Sequence, residues 1–253
     1  MKKRFLVLNF LLFIICSFNV LAINFLEKAS KVEDFIPKGW KSIVIRKGDL
    51  NKDKIDDVVL VIEKNDPKNM KKSESTYEES VVNNFNPRII LVLFKDKNSQ
   101  YNLVAKNENG FIVSEGKSYE EGFEKLASSN LNGKLSDSIT IKNNTLRIYT
   151  FFEGVRDMSS TEYVFRYQNN RFELIGLEIK SYGRHSTSGD TEKDKYSINF
   201  STKKLERYRS WGNISSDKIK EEKNEKTINI NKNYILENMT EKTASEILEK
   251  YSN

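Results

Sequence analysis

The stretch Gly48–Ile62, GDLNKDKIDDVVLVI, decides how the chain is read. It is an acidic loop running straight into a strongly apolar strand. The run Val58–Ile62 (VVLVI) has no polar position on either face, and only a strand inside a sheet can cover both faces of such a run. The preceding residues 41–46 (KSIVIR) read as its partner strand, so the loop is a connection between two antiparallel strands.

Asp49, Asn51, Asp53 and Asp57 stand at positions one, three, five and nine of a D-x-N-x-D-x-x-x-D frame. Calcium takes six to eight oxygen ligands, and loops that bind it offer alternate side-chain oxygens plus a backbone carbonyl at position seven, here Ile55. The expected metal set is therefore Asp49, Asn51, Asp53, Ile55 and Asp57. Position six, usually Gly, is Lys54, and position twelve, where an EF-hand has Glu, is Leu60, so the stretch is not a full EF-hand. An ion held this way is expected to bind weakly, with a Kd of about 10⁻⁴–10⁻³ M. The competing reading is a polar turn, for which Asp and Asn are suited by their local hydrogen bonds.

GDLNKDKIDDVVLVI resembles the acidic loop and following strand of FG-GAP or VCBS-type repeats. Together with residues 86–111, NPRIILVLFKDKNSQYNLVAKNENGF, it is similar to a group of uncharacterised exported bacterial proteins. That resemblance covers about a third of the chain. It implies export and a β-rich fold, and no established activity. A propeller repeats the loop once per blade; this chain carries one copy.

The N-terminus fits export. Lys2, Lys3 and Arg4 precede an apolar run from Phe5 to Ala22, and Val20 and Ala22 occupy the −3 and −1 positions of a cleavage site. Residues 1–22 are read as a signal peptide, which places the protein in the periplasm or outside the cell with no membrane span after cleavage. Cys16 follows Ile15 rather than the small residue a lipobox requires. It is the single cysteine, so cleavage after Ala22 removes disulfides, thiol catalysis and Cys–zinc sites together. Cleavage also takes the net charge from +6 to +3, with 39 basic and 36 acidic residues remaining. No interleaved basic and aromatic platform of the kind that binds nucleic acid is present.

The remainder reads as hairpins. Residues 88–95 pair with 101–106, 138–142 with 145–152 across Asn143-Asn144, and 162–168 with 171–182 across Asn169-Asn170. Asn tolerates positive φ, so both Asn-Asn pairs suit two-residue turns. Tyr163, Phe165 and Tyr167 alternate with Val164 and Arg166 and are read as core. Strands at 196–200 and 205–211 complete the series. Helices are expected at 25–36, around 119–127, and from about Thr240, where Ala244, Ile247, Leu248 and Tyr251 make an apolar stripe. Residues 63–84 read as a long disordered or mobile polar loop, and the charged run 217–226 as a linker or exposed helix.

These readings give an α+β fold, mostly antiparallel β, with a hairpin-built sheet closing as a sandwich or partial propeller and short helices at both ends. The domain boundaries are 1–22 signal peptide, 23–212 β-rich domain, and 213–253 charged linker and C-terminal helix. The function that fits is an exported cell-envelope module that binds an unknown protein or envelope ligand, with calcium in the acidic loop. The alternatives are a secreted carboxylate-dependent hydrolase and an exported inhibitor or immunity-type protein. His185, the single histidine, stands in a loop without a nucleophile motif. Glu153, Asp157 and Glu162 are the acids a hydrolase reading would draw on.

Overall fold

A computed structural model describes residues 23–72, 81–130, 132–184, 190–213 and 218–252. The expected signal peptide, with Cys16 and its cleavage site, and His185 lie outside the described residues.

Among the described residues, fifteen strands follow in chain order. They are β1 (Lys28–Ala29), β2 (Trp40–Gly48), β3 (Asp57–Lys64), β4 (Met70–Lys72), β5 (Val82–Asn84), β6 (Arg88–Lys95) and β7 (Tyr101–Asn107). After helix α1 (Glu115–Glu121) come β8 (Lys125–Leu126), β9 (Ile139–Lys142), β10 (Thr145–Glu153), β11 (Asp157–Gln168) and β12 (Arg171–Arg184). The last are β13 (Asp190–Asn199), β14 (Lys204–Asn213) and β15 (Lys218–Thr227), followed by helix α2 (Thr243–Ser252).

A five-stranded sheet has the order β1-β7-β6-β3-β2. An eight-stranded sheet runs β15-β14-β13-β12-β11-β10-β8, with β9 also paired to β10. All the pairings are antiparallel. Both sheets are open and share one core, so the fold is a sandwich and not a propeller.

The VVLVI run lies in β3, between β2 and β6, and is wholly buried. Val59 and Val61 face the large sheet together with Ile90 and Val92 of β6. Val58, Leu60 and Ile62 face the other way, into a second core with Ile89, Leu91, Leu93 and Phe35. The N-terminal segment covers that second core. The helix expected over 25–36 is not there: β1 and a single 3₁₀ turn at Val32–Phe35 replace it. Ile23, Phe25, Ala29, Val32 and Ile36 still pack inward, so their apolar spacing reports burial on the sheet rather than a helical turn.

Both Asn-Asn turns form as expected, with φ of 52° and 55° at Asn143 and Asn144 and 52° and 59° at Asn169 and Asn170. Tyr163 and Phe165 are buried, and Phe111 meets the Tyr163 ring edge-on at 4.9 Å.

Two other expectations are corrected. Within 63–84, Met70–Lys72 and Val82–Asn84 form a two-stranded ribbon, with residues 73–80 outside the described set. The charged run is β15, paired with β14 from Lys204↔Thr227 to Asn213↔Lys218. It has no apolar alternation to announce it. Its support is the main-chain ladder and cross-strand pairs of opposite charge, such as Lys204 with Glu225. A Lys-rich edge also resists pairing with other chains.

The C-terminal segment belongs to the same core. Ile228, Leu236, Met239, Ala244, Ile247 and Tyr251 all contribute to it. Asn107, at the end of β7, donates to the carbonyls of Leu236 and Met239 at 2.7 and 2.8 Å. The α2 stripe expected from sequence thus docks on the domain.

Candidate functional site

The acidic loop lies where the two sheets meet. Leu50 is buried in the main core, and Gly48 sits against Ile141 of β9 so closely that a Cβ there would fall 2.8 Å from its methyl carbon. Asn144, in the β9–β10 turn, donates to the Asp49 carbonyl at 2.9 Å. The loop is therefore gripped by both sheets.

Its side-chain oxygens cap the loop's own amides. Asp49 accepts from the backbone N–H of Lys52 (2.6 Å) and of Lys54 (3.1 Å). Asn51 Oδ1 accepts from Asp53 N–H at 3.0 Å, and Asp53 Oδ1 accepts from Ile55 N–H at 2.8 Å. Lys52 and Lys54 take positive φ, 71° and 67°. Position six thus has the left-handed backbone usually left to Gly, on a Lys. Ile55 is half-buried.

Asp57 plays a different part. It is fully buried at the start of β3, and its two oxygens accept from Leu50 N–H (2.9 Å) and from Lys95 N–H (3.1 Å). It pins the loop to the end of β6. Burial pushes its carboxyl up to about 6 against the opposing pull of those two amides, with the charges of Asp53 and Asp49 adding to the rise.

Among the described residues no three His, Cys, Asp or Glu side chains are gathered as a metal-binding group. A carboxylate has about four lone-pair sites, so the amide bonds to Asp49 and Asp53 leave acceptor capacity. Asp49, Asn51, Asp53 and the Ile55 carbonyl supply the hard oxygen donors calcium prefers, with Asp57 fixing the loop behind them.

Two hollows flank α1. The larger, about 600 Å³, is lined mainly by apolar groups, among them Trp40, Phe85, Ile89 and Ile112, with Arg88 in its wall. Arg88 is buried and donates to Glu63 Oε2 (2.9 Å) and to the Val113 carbonyl (3.0 Å). Gly116 of α1 abuts Phe85, where a Cβ would come within 2.6 Å of the ring, so only glycine lets the helix close this wall.

The smaller hollow, about 330 Å³, lies between the large sheet and α2 and is lined by Glu124, Thr150, Thr161 and Tyr163. Thr150 Oγ1 donates to Glu124 at 2.6 Å. Burial raises the Glu124 carboxyl above its ordinary value, partly offset by hydrogen bonds from Ser159, Thr150 and Thr161. Lys117 and Glu241, paired at 2.9 Å, stand between the hollows.

Sequence reading missed Glu124, because a helix was expected over 119–127. The signal was Gly122, which takes φ 72° as the C-cap of α1 and ends it there. Of the acids named for a hydrolase, Glu162 is paired with Arg147 at 3.0 Å.

No protein-family model matches the chain, and neither a curated protein nor a solved structure matches it.

Proposed function

We propose that the protein is an exported binding module of the bacterial cell envelope, with a calcium ion supporting its acidic loop. The observation that carries this reading is the cleft of about 600 Å³ between the small sheet and α1. Its volume is that of a small-molecule site, and apolar walls with a few fixed polar groups are the usual composition of one. The signal-like N-terminus and the resemblance to exported proteins with one FG-GAP-like loop support the location. The left-handed Lys54 and the oxygens of Asp49, Asn51, Asp53 and Ile55 support the ion.

Trp40 lines the cleft, and Trp211 is the only other tryptophan. In a Trp211→Phe background, N-phenyl-1-naphthylamine entering the cleft should quench Trp40 and gain fluorescence itself. Phe85→Ser should weaken that binding at least tenfold. Dye binding that ignores Phe85, or that leaves Trp40 unchanged, overturns the cleft as the site. For the ion, the melting temperature should rise from excess EDTA to millimolar calcium in wild type and not in Asp49→Ala/Asp53→Ala, because a ligand of the native state alone raises Tm. Superimposable melts overturn the calcium.

A further inference from the structure

The hollow beside Glu124 has an unusual charge balance. Its polar lining consists of oxygen groups, namely the Glu124 and Glu241 carboxylates and the hydroxyls of Thr150, Ser159, Thr161 and Tyr163, with Ser245 at the α2 side. None of its lining residues is basic. Glu241 has Lys117 as counter-ion at 2.9 Å. Glu124 is met by hydroxyls, starting with Thr150 at 2.6 Å, and these stabilise a carboxylate without neutralising it.

A charge held away from water without a counter-ion is costly, and a cation that enters recovers much of that cost. Phe111, Phe123 and Tyr163 supply apolar walls that accept an alkyl group, while the Phe123 face already carries the Lys117 ammonium at 5.2 Å. An ammonium carries three donors and no acceptor, which matches a wall rich in acceptor oxygens. Anions are opposed by the Glu124 carboxylate.

We propose that this cavity binds the primary ammonium group of a small amine, with Glu124 as its counter-ion and the Phe111, Phe123 and Tyr163 rings around its hydrocarbon part. The site is a separate hollow from the cleft beside Arg88, with the Lys117–Glu241 pair between them.

The test is calorimetric titration with n-butylammonium chloride, alongside n-butanol and sodium pentanoate, which keep the butyl chain and change the charge. The ammonium should bind at least tenfold more tightly than the alcohol, and pentanoate should not bind. Glu124→Gln keeps the shape of the side chain and should cost the ammonium at least tenfold while leaving the alcohol unaffected. Leu248→Trp on α2 leaves Glu124 intact and fills the hollow, so it should abolish binding of both; it decides the matter should Glu124→Gln fail to fold. Equal affinity for alcohol and ammonium, unchanged ammonium affinity in Glu124→Gln or in folded Leu248→Trp, or no ammonium binding at millimolar concentration overturns the proposal.

Discussion

Glu63 and Arg88 face each other across β3 and β6 at 2.9 Å, with 3% of either side chain exposed. Burial alone would raise the Glu63 carboxyl, but Arg88, Asn84 and Lys41 outweigh it and hold it below the ordinary carboxylate range. The pair stands at one end of two strands whose middles are apolar on both faces. Removing one partner leaves a buried charge uncompensated, at about 3–5 kcal/mol. Glu63→Ala should therefore be among the most destabilising single changes in the small sheet. Glu63→Met/Arg88→Leu should cost clearly less than the sum of the single changes. Urea unfolding of wild type, Glu63→Met, Arg88→Leu and the double variant checks this, and additive losses would show that the two charges act independently.

Asn107 is the fastener between the small sheet and the C-terminal segment. Its amide satisfies two carbonyls, of Leu236 and Met239, in a buried setting. Asn107→Ala orphans the Met239 carbonyl and leaves that of Leu236 with only the Met239 N–H at 3.3 Å, and should cost about 1–3 kcal/mol. Since α2 is held to the domain through this segment, amide exchange should quicken first in residues 236–252. Uniform acceleration across both sheets would argue against this role.

The doubly buried strand β3 was legible because five consecutive apolar residues fit only a sheet interior. The hairpins were legible because Asn-Asn pairs stand where φ must be positive. Strand β15 was not, since KIKEEKNEKT has no apolar face and is held by the ladder and by charges on β14. The N-terminal segment misled for the opposite reason: its apolar residues are spaced like a helix but are buried by an irregular strand and one 3₁₀ turn. In the candidate site, the loop residues could be named from spacing. The pinning of Asp57 by Leu50 and Lys95 could not, because Lys95 is distant in sequence. Glu124 acquires its surroundings from three separate strands and a helix, and no local pattern marks it.

The two Asn-Asn turns should respond sharply to side-chain shape. Asn170→Gly keeps a residue that adopts φ near 59° without strain and should leave stability within about 0.5 kcal/mol. Asn169→Val puts a β-branched residue at φ 52° and should cost about 1–3 kcal/mol. Thermal melts of the two variants should separate clearly from each other. Coincident melts would mean the β11–β12 hairpin is set by its strands alone.

Asp57 gives the fold a pH dependence of defined sign. Its carboxyl titrates near 6 in the native state, against an ordinary value of 3.8. Between those values the native state holds more protons than the unfolded chain, so this group's contribution to stability falls as pH rises from about 4 to about 6, then stays level. Other acids titrate in the same range, so the readout is the difference between wild type and Asp57→Asn. The urea midpoint of wild type relative to the variant should decline across that window in the presence of EDTA. Calcium in the loop would favour the ionised carboxylate and pull the Asp57 carboxyl down, so millimolar calcium should flatten the decline. A wild-type-minus-variant difference that does not change from pH 4 to pH 7 would show that Asp57 is not strained by its burial. A decline that calcium leaves untouched would place the ion, if it binds, away from the loop that Asp57 holds.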